Sequence, residues 1–180
     1  MNLVIVSDTA IAQVNGQLEI LESPLREIES LAKNFDRIIW IGFLYENGMY
    51  NTRRPKMKNI VPIPLPSSGG SNLMDKLYVL AKIPTYFNVI YSNIKGSDMI
   101  HLRAPSVPAM IAMIINYYFK INRGWIKYAG AWRGKASCSY RLQRWWIKRY
   151  KILNSIILSK DTGSKNLHFL INPSIYKKDL

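Results

Sequence analysis

The chain has 180 residues, of which 48% are hydrophobic and 20% charged, with a formal net charge of +14. This length suits one domain, and a composition so apolar excludes intrinsic disorder. The charge is uneven: residues 1–50 hold three basic side chains against seven acidic ones, whereas Lys120–Lys151 holds ten basic residues and no acid, a field that draws polyanions.

In chain order, Leu3–Val6 is a continuous apolar run, as in a strand covered on both faces, and the start of the chain reads as that strand rather than as a secretory signal. A polar loop is expected over Ser7–Gln17, containing Asn15-Gly16, and then a helix over 18–33. Pro24 near its start suggests that the regular part begins at Ser23, with serine as the cap. Ile38–Phe43 is a second buried strand, followed by a long polar connection over 46–58. Ile60–Leu65 is a third strand, marked as an edge by Pro62, Pro64 and Pro66.

After a flexible Ser-Gly break at 67–71, a helix is expected over 72–93, bent at Pro84. Asp98–Leu102 is a fourth strand and 105–122 a helix. Trp125–Ala129 is a fifth strand and 139–157 a helix; His168–Ile171 is a sixth strand, ended by Asn172-Pro173. Strands alternating with helices imply right-handed crossovers, hence an α/β domain: a single doubly wound parallel sheet with helices on both faces. The longest apolar run, Val107–Phe119, has about 13 residues where a span needs about 20, so it reads as a buried helix.

In such a sheet, ligands meet the loops at the carboxyl ends of the strands. Gly16 in the first loop lets backbone N–H groups approach an anion, or simply makes a turn. The chain has no GxGxxG fingerprint or P-loop lysine, which disfavours dehydrogenases and NTPases. His101 and Arg103 fall on one side of the fourth strand, where imidazole and guanidinium suit proton transfer and anion binding or a structural hydrogen-bonding role. After the fifth strand, Trp132 and Arg133 in a glycine-bearing loop suit a sugar ring stacked on an indole, or a tryptophan that plugs the loop.

On a helix over 139–157, Arg141, Arg144, Lys148 and Lys151 share a sector of about 80°, beside Trp145 and Trp146. That pattern fits either an interfacial helix on an anionic membrane or an amphipathic helix packed on the sheet. Cys138 is the only cysteine, so no intrachain disulfide or CxxC metal site forms, and the cytosol is the expected compartment. No HxxxH or carboxylate cluster suggests a metal, and no RNA- or DNA-binding signature appears. Nucleic acid is left resting on charge alone.

The order of these segments, above all Met99–Ser106 (MIHLRAPS) and Lys127–Trp132 (KYAGAW), with Ser139–Arg144 and Asn172-Pro173-Ser174, resembles the amino-terminal domain of family-four-like GT-B glycosyltransferases. Many of these act in bacterial surface-polysaccharide assembly. The resemblance implies a Rossmann-like acceptor-side domain over 1–172, with 173–180 opening a linker to a donor-binding domain that this chain lacks. It implies no tightly bound cofactor, a nucleotide-sugar as co-substrate, and a saccharide or lipid-linked acceptor.

Asn15 and Gly16 map to the family's glycine loop near the donor phosphate; His101, Arg103, Trp132 and Arg133 map to segments facing the cleft. The expected partner surface is an anionic membrane at the inner face of the cytoplasmic membrane, through Arg141, Arg144, Trp145, Lys148 and Lys151, and the donor domain is either lost by truncation or carried by a separate polypeptide. The chain alone is expected not to transfer sugar. The alternative is a non-catalytic basic module that binds a membrane or a partner.

Overall fold

The computed structural model describes residues 1–46, 49–69, 72–121, 123–130, 132, 134, 136–157 and 167–169. Among them are nine strands, β1 (Asn2–Val14), β2 (Gln17–Leu21), β3 (Arg37–Tyr45), β4 (Thr52–Arg53), β5 (Ile60–Pro66), β6 (Met99–Ala104), β7 (Gly124–Tyr128), β8 (Asn154–Ile157) and β9 (Leu167–Phe169). Four helices accompany them: α1 (Glu22–Ala32), α2 (Leu73–Ile94), α3 (Val107–Phe119) and α4 (Cys138–Arg149).

Seven strands run parallel in the order β5-β3-β1-β6-β7-β8-β9. The chain builds outward from β1 to β5, crosses back through α2, and winds the other way from β6. The fold is therefore an α/β, Rossmann-like doubly wound sheet whose topological switch lies between β1 and β6.

Strand alternation sorts the core into two layers. Val4 and Val6 join Ile100, Leu102 and the buried faces of α2, α3 and α4 on one side of the sheet. Leu3 and Ile5 join Trp40 and the Leu25-Ile28-Ala32 face of α1 on the other. His101 and Arg103 alternate with the first set and so share the α1 side.

The third parallel strand is the expected edge. The Asn59 carbonyl accepts a hydrogen bond from the Ile38 N–H at 2.8 Å. In a parallel ladder alternate residues bond the same neighbour, so odd positions of β5 face β3, and Pro62, Pro64 and Pro66 turn their missing N–H groups to the open edge.

Three expectations are corrected. Ser7–Gln17 is not a loop: β1 bends where its register against β3 slips between Val6 and Ala10, continues to Val14, and forms an antiparallel hairpin with β2. Its two-residue turn is Asn15-Gly16, at φ 50° and 76°, the left-handed pair such hairpins need. The helix expected from residue 18 starts at Glu22 with Leu21 as cap, so Ser23 and Pro24 lie inside its first turn. The helix expected over 139–157 ends at Arg149, and Asn154–Ile157 becomes β8, paired with Trp125–Tyr128. The sheet is mostly parallel, as expected, and β2 pairs antiparallel with β1 and β4 at one end of it. Residues 171–174, expected to end the last strand, lie outside the described residues.

Candidate functional site

At the bend of β1, beyond the carboxyl ends of β6 and β7, lies an open cleft of about 510 Å³, lined by Asp8, Tyr45, Tyr50, Arg103 and Tyr140 among others. A second hollow, of about 790 Å³, shares Asp8, Pro105 and Tyr140 with it and extends to Ser106, Ser137 and Gln143. Both sit at the topological switch, where adjacent chain segments leave the sheet in opposite directions and open a crevice.

The bend in β1 presents Asp8. The bend fits because Gly42 carries no side chain: a Cβ there would lie 2.4 Å from the Thr9 carbonyl oxygen. Ser7 braces the same turn, its Oγ accepting from the Trp40 indole N–H at 3.1 Å and from the Thr9 N–H at 3.2 Å. The Asp8 carboxyl is raised above the usual aspartate value, because surrounding protein desolvates it more than a backbone hydrogen bond and the Arg103 charge restore. Tyr45, edge-on to Tyr50 with ring centroids 4.9 Å apart, has its hydroxyl pushed up by burial and then by its neighbours Tyr50 and Asp8. It stays a neutral donor.

Arg103 is held from behind. It lies opposite Lys127 across the β6–β7 ladder, and both side chains turn toward α1. There the Lys127 Nζ donates to both Glu27 oxygens at 2.7 and 2.8 Å, and the Arg103 Nη1 donates to Glu27 at 3.2 Å. Burial alone would raise the Glu27 carboxyl, but Lys127 and Arg103 together carry it below the usual glutamate value. Two cations on one carboxylate leave a net positive cluster under the cleft floor.

The expected site residues separate. Arg103 lines the cleft. His101 does not: it is fully buried, its ring stacked on Trp125 at 4.4 Å, its Nδ1 3.3 Å from the Trp125 carbonyl oxygen and its Nε2 without a partner. Desolvation, then the Arg103 charge, holds its pKa well below the ordinary histidine value, so it is neutral and inside the core. Trp132 is also a core residue, 5% exposed and edge-on to Tyr128 at 5.0 Å, which leaves no indole face for a sugar. Asn15 and Gly16 form the hairpin turn, and neither lines the cleft described here. Arg133 lies outside the described residues.

The basic side chains expected on one helical face divide too. Arg141, Trp145 and Lys148 are on α4 and exposed. Arg144 turns inward, its Nε donating to the Tyr128 hydroxyl and its Nη1 to the Gly134 carbonyl, both at 3.2 Å. Lys151 follows the end of the helix.

Sequence reasoning missed Asp8, Glu27, Lys127, Tyr45, Tyr50 and Tyr140. Arg103 and Lys127 each interrupt an apolar strand, and a buried cation needs an anion; Glu27, set among Leu25 and Ile28, was the signal for it. Among the described residues no group of three or more His, Cys, Asp or Glu side chains is placed to hold a metal ion.

No family model matches the chain, and no curated protein does. Among solved structures, the chain is similar to the carboxyl-terminal domain of a hydrogenase from Pyrococcus furiosus, at 9% identity over 69% of this chain and 88% of that one, with a TM-score of 0.39. A superposition that loose assigns neither a family nor an activity.

Proposed function

We propose that the chain is the acceptor-side domain of a GT-B glycosyltransferase of surface-polysaccharide assembly, working with a nucleotide-sugar-binding domain. The observation that carries this reading is that Asp8 and Arg103 line the same switch-point cleft. A carboxylate of raised pKa is suited to accept a proton from an attacking sugar hydroxyl, and a guanidinium backed by Glu27 is suited to hold an acceptor's phosphate. Tyr45, Tyr50 and Tyr140 add aromatic surface and hydroxyl donors of the kind that hold saccharides. The acceptor is a saccharide or a lipid-linked saccharide, and the domain works peripherally at the inner face of the cytoplasmic membrane.

Isothermal titration of the full chain with a short-chain polyprenyl diphosphate-linked monosaccharide tests this. Binding is expected, and is expected to fall at least about tenfold in Arg103→Ala, the loss of one charge-assisted contact. Binding unaltered by Arg103→Ala and Tyr140→Ala, or no binding at all, sinks it. A module that binds a membrane without catalysis is the second reading, favoured by the exposed apolar side chains of α2 and α3.

A further inference from the structure

We propose that the outer face of the α2–α3–α4 layer seats on an anionic lipid bilayer, the apolar stripe of α2 entering the headgroup boundary and the cations of α4, with Lys120 and Lys151 just after α3 and α4, resting on lipid phosphates. This deepens the membrane part of the reading above and is independent of sugar transfer.

A surface helix normally buries one apolar stripe and shows a polar one. The 22-residue α2 buries Tyr86, Ile90 and Ile94, yet Leu77, Leu80 and Phe87 are 52%, 60% and 43% exposed. The apolar surface does not stop there. Phe87 stacks on Tyr91 at 5.8 Å, and Tyr91 meets Phe119 of α3 at 5.5 Å. From α3 the band reaches α4 through a hollow of about 260 Å³ lined by Tyr117, Trp145 and Arg149. Contiguous exposed apolar surface of this kind marks an interface.

Charge selects the occupant. Between Lys76 and Ile157 the sequence contains 14 basic residues and one acid, Asp98; of the basic ones, Arg103 and Lys127 are paired with Glu27 on the α1 side of the sheet. Asp98 is engaged, accepting from the Asn2 N–H at 2.7 Å. Arg149 lies over the Trp145 ring at 4.4 Å, and Lys120 and Lys151 line the adjoining hollow with Tyr117. Tyrosine, tryptophan and long cations around an apolar stripe are the side chains that settle at a bilayer–water boundary. A protein partner needs no such exclusion of acids. No helix among the described residues is long and apolar enough to cross a membrane, so the helices lie along it.

The test is flotation of the full chain with vesicles of phosphatidylcholine alone or mixed with phosphatidylglycerol. Anionic vesicles are expected to bind at least about tenfold more protein, since each cation near such a surface adds attraction. The combined Leu77→Ser, Leu80→Ser and Phe87→Ser variant is expected to lose that binding while keeping its thermal transition. In the unaltered chain, brominated acyl chains should quench tryptophan emission, and Trp145→Phe should remove most of the quenching. Equal binding to both vesicles, full binding by the serine variant if it folds, or no quenching overturns the proposal. So does a dimer in size-exclusion that buries this face and ignores lipid. Arg103→Ala is expected to float like the unaltered chain; lost acceptor binding with intact flotation defeats the transfer reading alone.

Discussion

The ammonium of Lys127 meets both carboxylate oxygens of Glu27, a hundred residues earlier in the chain, at 2.7 and 2.8 Å. The contact ties α1 to β7 across the switch point, and the same carboxylate reaches Arg103 on β6. The side chain that lines the cleft is therefore fixed by a residue that does not line it. A guanidinium free to swing would lose rotamer entropy on meeting an anion; one already clamped loses less.

Removing the charge of Glu27 should expose how much the clamp carries. The Lys127 side chain is 6% exposed and that of Arg103 14%. Glu27→Gln leaves both without an anion, and an uncompensated buried charge costs about 3 kcal/mol. The urea midpoint should fall while the slope stays the same. Adding Lys127→Met to the variant should recover part of the loss, because one stranded cation goes with it. Acid supplies an independent check. The Glu27 carboxyl lies below its usual value in the fold, so its contribution is present above the unfolded pKa and lost as pH falls through the folded one.

Asp8 predicts the opposite sign. Its carboxyl is raised in the fold, chiefly by desolvation, so the native state loses stability as pH rises through the folded value. Asp8 is exposed by surface area, so solvent screens most of this effect; Asp8→Asn should raise the melting temperature at pH 7 only slightly, and the gain should vanish below about pH 4, where the aspartate is protonated in both states. Titration with the acceptor should show binding weakened in the same variant. A melting temperature lowered at pH 7 would mean the carboxylate is held by contacts stronger than its desolvation.

Buried His101 makes a third pH-dependent contribution. Unfolded, it binds a proton near pH 6.5; folded, it stays neutral to well below that. The unfolded state takes up more protons, so stability should decline as pH drops from about 6.5 toward 5. His101→Phe keeps a ring against Trp125 and should flatten that slope in chemical denaturation measured across the range.

The parallel strands were legible where apolar runs sat between helices with clear ends, as at Ile38–Phe43 and Met99–Leu102. The hairpin was hidden by Ser7, Asp8 and Thr9, whose polarity reads as a loop although their backbone continues β1 round a bend. Asn15-Gly16 was its overt mark, a dipeptide that meets the two left-handed positions of a tight turn. β8 was hidden for another reason. No glycine or proline stops α4, and Leu153, Ile156 and Ile157 continue a helical pattern; pairing with Trp125–Tyr128 decides the matter, and pairing is not local. The same distance problem concealed the cleft. Asp8, Arg103 and Tyr140 converge only when strand order is known, whereas His101 and Trp132 looked functional because polar and aromatic side chains at strand ends are seen before their burial is.

Gly42 tests whether the bend in β1 makes the site. A Cβ at this position would lie 2.4 Å from the Thr9 carbonyl oxygen and 3.1 Å from the Ile11 Cδ1. The first neighbour is backbone, at the register slip between Val6 and Ala10, and gives way only if the bend moves. Gly42→Ala should cost about 3 kcal/mol, read as a lowered urea midpoint. It should also weaken acceptor binding, because Asp8 rides on the displaced segment. Gly16→Ala is the comparison: its φ of 76° disfavours a side chain, but nothing lies within 4 Å of the added carbon. Strain alone there should cost about 1 kcal/mol and leave acceptor binding intact. Equal losses of stability and binding in the two variants would show that left-handed geometry, and not the close approach of β1 to β3, is what these glycines protect.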